Sequence, residues 1–179
     1  MELIYSVIVL IMQIFFGAIF GVASIYLSLR CFDKMTGGIN EMKELKKGNV
    51  AIAIVLVALM GGIGLVLSTG LDQFGQIFIN VFSSKYSFPL FLVAMVLAVV
   101  ELLVVVLISV FVIYLSIKVL DTLTEEIDEL AELKKGNVAV GLEVGVVILV
   151  ISVIMIGAIQ GIERLPIFDP LSYVGLLGL

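Results

Sequence analysis

The chain has 179 residues, 62% of them hydrophobic, with 10 Lys and Arg against 15 Asp and Glu and a net charge of −5. It contains no His, the commonest general base and transition-metal ligand, and its single cysteine, Cys31, allows neither an intrachain disulfide nor a cysteine-based metal site. The acidic balance argues against nucleic acid as a partner, since no basic stripe exists beyond two lysine pairs.

The first long apolar run covers residues 3–29, interrupted only by Gln13, Ser6 and small residues. Glu2 stands where a secretion signal would carry basic residues, and the run is about twice as long as a signal's apolar region, so it reads as a retained transmembrane helix. Residues 30–49 form a polar connector, broken by Gly37-Gly38 and then carrying Ile39, Met42 and Leu45 at helical spacing. The second span is 50–71. Residues 72–87 follow, with Phe74, Ile77, Phe78, Val81 and Phe82 on one helical face, the pattern of a separate helix lying in the membrane interface.

Pro89 suits the first turn of the third span, 89–117, where its missing N–H costs nothing. The second connector, 118–136, places Leu120, Leu123, Ile127, Leu130 and Leu133 about one turn apart, with Glu125, Glu126, Asp128, Glu129 and Glu132 on its other faces. It either projects as a stalk or bends into the interface. The fourth span starts at Val138, directly after Gly136-Asn137, which favours the in-plane form. That span runs to residue 162. The tail, 163–179, is apolar but too short and too broken by Pro166 and Pro170 for a fifth crossing.

Residues 45–51 and 133–139 are the same heptapeptide, Leu-Lys-Lys-Gly-Asn-Val-Ala, at an offset of 136 − 48 = 88. At that offset Ile25-Tyr26-Leu27-Ser28 falls on Ile113-Tyr114-Leu115-Ser116, and Asp33, Thr36, Ile39, Glu41 and Glu44 fall on Asp121, Thr124, Ile127, Glu129 and Glu132. The period is too long for a solenoid and reads as a duplicated half-protein. The conspicuous turn motif (Lys46, Lys47, Gly48, Asn49 and Lys134, Lys135, Gly136, Asn137) is read first as structure: a left-handed glycine ends each connector helix and an asparagine caps the next span. A ligand site is the alternative.

The sequence therefore predicts an all-α integral membrane protein. Four transmembrane helices form a parallel tandem repeat of two-helix units with amphipathic interfacial connectors, 1–87 being the first unit with its interfacial helix and 88–179 the second with its apolar tail. Arg30, Lys34, Lys43, Lys46, Lys47, Lys118, Lys134 and Lys135 lie in the connectors, against Lys85 and Arg164 on the opposite side. The positive-inside rule then puts the connectors in the cytoplasm and both termini outside.

Two acids interrupt the spans. Glu101 lies near the middle of the third and Glu143 about one and a half turns into the fourth. A charge there costs at least ~2.5 kcal/mol on insertion scales, which makes a functional role the default; the alternative is protonation or a satisfying hydroxyl or amide neighbour. Gln13 is the repeat partner of Glu101, so both units keep a long polar side chain at one depth, joined on the first helix by Gly17, Gly21, Ser24 and Ser28. Gly17-x-x-x-Gly21 and Gly141-x-x-x-Gly145 are close-packing patterns, and Glu143 lies about 200° around its helix from Gly141. No nucleophile–base pair, phosphate-binding loop or metal cluster is present in the pattern, so neither an enzyme, a cofactor nor a metal is expected.

Two spans per unit, joined by an acidic connector that ends in Glu-Leu-Lys-Lys-Gly-Asn-Val-Ala, make the chain from about Gly17 to Gly161 resemble the prokaryotic membrane proteins of domain-of-unknown-function family 350. The resemblance implies a bacterial or archaeal cell membrane and a duplicated four-helix architecture, and it implies no activity. Two functions are open. One is a homo-oligomer with a proton or cation pathway through Glu101, Gln13 and Glu143. The other is a structural or accessory scaffold whose acidic connectors dock a cytoplasmic or membrane protein.

Overall fold

In a computed structural model, residues 2–37, 39–83, 87–123, 128–163 and 165–177 are described. Gly38, Lys85, Thr124, Glu125, Glu126, Ile127 and Arg164 lie outside them. Four helices are long and apolar enough to cross a membrane: α1 (Glu2–Met35), α3 (Val50–Ser83), α4 (Phe88–Leu123) and α6 (Val138–Glu163). Two short helices, α2 (Glu41–Lys46) and α5 (Glu129–Lys135), occupy the connectors. After α6 come two 3-10 turns, Pro166–Phe168 and Pro170–Tyr173, and a last turn, α7 (Val174–Leu177). The fold is all-α and duplicated, with α1–α3 answered by α4–α6.

The long helices exceed the spans read from hydropathy. With 34 residues α1 is about 51 Å long, and α4 with 36 is about 54 Å, well beyond a 30 Å apolar core. The connectors are correspondingly shorter than their polar stretches. Residues 30–35 finish α1, and 118–123 finish α4. The second connector is thus neither a single stalk nor one in-plane helix. Its α5 is a separate short helix, capped by Asp128, whose carboxylate accepts from the Ala131 N–H at 2.9 Å. The buried Leu133 pins it to the bundle.

The separate interfacial helix expected at 72–87 does not form. As far as Ser83 this stretch continues α3 without a break. Gly70 is a helix interior position here, because its missing side chain is the seat for Val105 of α4, which a Cβ would strike at 2.6 Å. The apolar face expected there is real, but it extends the buried row Leu59, Ile63, Val66, Gly70 through Phe74, Phe78 and Val81. Asp72, Gln76 and Asn80 take the exposed side.

The bundle is rhombic. α3 and α4 pack on each other, α1 packs on both, and α6 packs on both, most extensively on α3. α1 and α6 share no extensive contact. Of the two ends, the connector end is filled by Phe32, Ile39, Ile52, Leu59, Ile113, Leu133 and Ile148. The terminal end is aromatic, with Phe16, Phe74, Phe78 and Phe91 in tilted contacts 5.0–5.6 Å apart. The tail folds back on the ends of α3 and α4, burying Pro170 and setting Val174 against the aromatic cluster.

Candidate functional site

Polar side chains gather in two places: a row on the inner faces of α1 and α4, and the connector corner. The row begins with Gln13, whose amide nitrogen donates to the Leu71 carbonyl of α3 at 2.9 Å. Gly75 makes the space, since a Cβ there would collide with that amide. Glu101 is 3% exposed and lies one turn from Val105, on the same face of α4. Because Val105 sits on Gly70 and the two helices run antiparallel, that turn brings Glu101 to the level of Phe74 and Gly75, and so of Gln13. The two repeat-equivalent residues share one layer of the bundle.

Toward the connectors the row continues through Ser24 and Ser28 on α1 and Ser109 and Ser116 on α4, all fully buried. Ser109 donates to the Val105 carbonyl at 2.9 Å and Ser116 to the Val112 carbonyl at 2.7 Å. The Ser24 and Ser28 hydroxyls have no hydrogen-bond partner among the described residues. Glu143 lies elsewhere, exposed on the flank of α6 that faces away from α3. The structure does not bring it to Glu101. The four packing glycines all meet α3: Gly17 at Leu71, Gly21 at Leu67, Gly141 at Ala51, and Gly145 at Ala58.

At the connector corner each turn motif builds the same small network. Gly48 and Gly136 have φ of 78° and 84°, the left-handed region that a side chain resists. Asn49 accepts from the Ile52 N–H at 3.2 Å, and Asn137 from the Ala139 N–H at 3.1 Å, capping α3 and α6. Each asparagine also donates to a glutamate three residues upstream of a paired lysine: Asn49 to Glu44, which holds Lys47, and Asn137 to Glu132, which holds Lys135. At this corner a bond also joins the two repeats. The Asn49 amide donates to the Leu133 carbonyl of α5 at 2.8 Å. Lys46 is exposed, and Lys134 lines an open groove between the two turns with Lys47 and Lys135.

Under this corner lies a small cavity of about 20 Å³, lined by Thr36, Leu133, Glu129 and apolar neighbours. That is room for about one water. Glu129 is 6% exposed, and its Oε1 has no hydrogen-bond partner among the described residues. The equivalent of Glu129 in the first repeat, Glu41, has its carboxyl raised above the ordinary value of 4.5 by burial and by a hydrogen bond with the Asp33 carboxyl. Glu44 and Glu132 are held below that value, chiefly by hydrogen bonds from Lys47 and Lys135.

These shifts have opposite consequences for stability. The contribution of Glu41 is complete below pH 4.5 and is lost as pH rises through its raised folded value. Those of Glu44 and Glu132 are present above pH 4.5 and are lost as pH falls through their depressed values. Glu41→Gln is therefore expected to remove part of the fall in Tm between pH 4.5 and 7, and Glu132→Gln to soften the acid limb below 4.5. Thermal unfolding of both variants in detergent across pH 3–8 checks the two signs.

Among the described residues no group of three or more His, Cys, Asp or Glu is placed to hold a metal ion. The family model described as Domain of Unknown Function (DUF350) matches residues 3–100 and again residues 94–179. The chain belongs to the DUF350 family. Each DUF350 match takes in one connector and one turn motif, so the duplication read from the 88-residue offset coincides with two copies of the family's unit. No curated protein and no solved structure matches the chain.

Three features of the site were not singled out in the sequence. Asp33 and Glu41 align with Asp121 and Glu129 at the repeat offset, and that recurrence of the two acids is the signal that marks these positions. The Asn49–Leu133 bond had no such signal, because only one of the two asparagines makes it within the chain. Asn49→Ala is expected to cost about 2 kcal/mol, a cap of about 1 plus a hydrogen bond of about 1, against about 1 for Asn137→Ala. Denaturant unfolding of the monomer in detergent compares them; equal losses would remove the inter-repeat bond from the account.

Proposed function

We propose that the protein is a non-enzymatic, homo-oligomeric membrane assembly that carries protons through its bundle, with Glu101 as the group that binds them. In this reading it sits in a prokaryotic cell membrane with both connectors in the cytoplasm and both termini outside, as the lysine distribution favours. The observation that carries the reading is the burial of Glu101 at mid-helix on an inner face, level with Gln13. Carboxyl groups at that depth are costly and mark ion and proton paths. The buried hydroxyls of Ser24, Ser28, Ser109 and Ser116 extend from it toward the cavity beside Glu129. A cavity of about 20 Å³ admits a water but not a hydrated metal cation, which favours protons as the cargo.

The competing reading, a scaffold docked through acidic connectors, has fewer acids to offer than the sequence suggests. Among the described residues Asp128 caps α5, Glu129 is buried, and Glu132 and Glu44 are engaged by lysine and asparagine. Proton flux into liposomes containing the purified protein tests the proposal. Glu101→Gln should lower flux at least ten-fold while the oligomer, measured by native mass spectrometry, is unchanged. Glu143→Gln should leave flux within two-fold. Unaltered flux in Glu101→Gln would sink the reading, and the loss of a co-purifying protein on charge reversal of the connector acids would replace it.

A further inference from the structure

The two repeats do not pack as a closed pair. A two-fold axis relating them would exchange α1 with α4 and α3 with α6, so the contact of α3 with α4 would need a twin between α6 and α1. That twin is missing as an extensive contact. The second repeat instead follows the first in one sense, as successive members of an open series, which is the geometry of a heterologous interface.

An open series leaves two unused faces, and the repeat identifies both. On the inner side, α3 presents Ala51, Val55, Ala58 and Gly62, all buried, to α6 and its neighbours. Their equivalents on α6 are Ala139, Glu143, Val146 and Val150, and all four are exposed. In the other direction α6 presents Gly145, Ile148 and Ser152, all buried, whose equivalents on α3 are Val57, Met60 and Gly64, again exposed. The same holds for α4 and α1. Ala98, Leu102, Val106 and Ile113 are buried, and their counterparts Leu10, Ile14, Ala18 and Ile25 are not.

We infer that a second copy of this chain covers these faces, its first repeat docking on the second repeat as the second docks on the first within the chain. This rests on the homo-oligomeric part of the function proposed above, and it adds the interface. The occupant follows from continuity with an interface already present. The flank of α6 left open is the one that a further repeat would cover, and the only repeat whose matching flank is itself open is the first repeat of another copy. Sizes are exchanged across the junction. Within the chain Gly62 of α3 receives Ser152 of α6; between chains the equivalent contact puts Val150 against the open Gly64. Since both repeats have the same orientation, both chains would lie in the membrane the same way up.

Two observations apart from packing agree. Glu143 is exposed on the open flank of α6, and a carboxyl group facing lipid at that depth is costly, whereas one covered by a protein neighbour is not unusual. Its counterpart Val55 is fully buried, so docking would cover Glu143. At the connector corner Asn49 crosses to the Leu133 carbonyl. The equivalent bond would run from Asn137 to the Leu45 carbonyl of the next copy, and Leu45 is 38% exposed where Leu133 is 1% exposed.

The contact of Ala58 with Gly145 locates the test. A Cβ on Gly145 would lie 3.3 Å from that of Ala58, close to the Cβ separation of a disulfide. The equivalent pair between chains is Val146 with Val57, both exposed, so cysteines at either are tolerated. In a Cys31→Ser background, Val57→Cys and Val146→Cys chains are co-expressed, reconstituted in liposomes and oxidised. Covalent dimers are expected from the mixture and not from either variant alone, and a chain carrying both should give multimers up to the size of the closed ring. Dimers from Val146→Cys alone would mean a two-fold interface and overturn the inference. Oligomers in native mass spectrometry without any mixed cross-link would overturn it while sparing the assembly. A monomer under all conditions would remove both.

Discussion

Replacing Gly141 by valine should cost about 3 kcal/mol of stability, among the larger effects any single change in this chain can have. A Cβ at 141 would stand 2.8 Å from both the Cα and the carbonyl oxygen of Ala51. The obstruction is backbone, which cannot turn aside as a side-chain end can, so the whole α3–α6 pairing must open. In a bilayer no hydrophobic gain drives two apolar helices together, and their association depends on close packing. Separating them by about 0.5–1 Å therefore forfeits roughly a quarter to a half of the contact energy along the seam. Gly157 on the same helix has no atom within 4 Å of where its Cβ would be, and Gly157→Val should change stability by less than about 0.5 kcal/mol. Unfolding of the two variants in mixed micelles makes the comparison, and a small loss for Gly141→Val would mean that α3 and α6 are not in contact at this point.

Most of the architecture was legible because it depends on signals that are local and redundant. Four long apolar runs gave the spans, and a verbatim heptapeptide gave the duplication. Gly48 and Gly136 gave the turns, since no other residue is at ease in that conformation. The end of α3 was misread for an identifiable reason. Phe74, Phe78 and Val81 have the periodicity of an interfacial helix and of a buried one alike, and only partners distinguish them. In the fold Gly70 seats Val105 of α4 and the helix passes through it unbroken. The layer shared by Gln13 and Glu101 was visible in the repeat alignment. That Glu143 turns away from the seam of Gly141 and Gly145 was legible from its offset of about 200° around the helix, whereas the inward face of Glu101 was not, because α4 is apolar all round and shows no preferred face.

Equivalent residues thus have unequal surroundings. Gln13 is bonded to a backbone carbonyl and its twin position carries a carboxylic acid; Val55 is buried and its twin is Glu143. A duplication whose halves pack head to tail must diverge in this way, since one half has a neighbour where the other has lipid or another copy. The acids lie at positions where the two halves differ in what surrounds them. The turn motifs build the same capping network in both halves and have kept the same seven residues, although Leu133 and Ala51 are buried where Leu45 and Ala139 are exposed.

The terminal end of the bundle should prove as sensitive as the α3–α6 seam. Phe74→Ala is expected to cost about 3 kcal/mol, the lower end for a buried Phe, because lipid rather than water receives the exposed surface and the loss is mainly cavity and dispersion energy. Phe74 is fully buried, with Phe16 of α1 at 5.1 Å and Phe78 at 5.0 Å, so its removal opens a space touching two helices at once. The exposed Phe111 is the control, with an expected change under about 0.5 kcal/mol. A double-mutant cycle with Phe16→Ala should return a coupling of about 1 kcal/mol, and additive losses would mean that the two rings do not meet. The consequence reaches the site. Phe74 lies in the layer of Glu101 and Gln13, and the aromatic cluster beyond it closes the bundle toward the tail. In Phe74→Ala water reaches that layer from the terminal end, so a proton leak that Glu101→Gln abolishes should rise before the protein unfolds. A leak that stays constant through the loss of this wall would show that Glu101 is not on the proton's route.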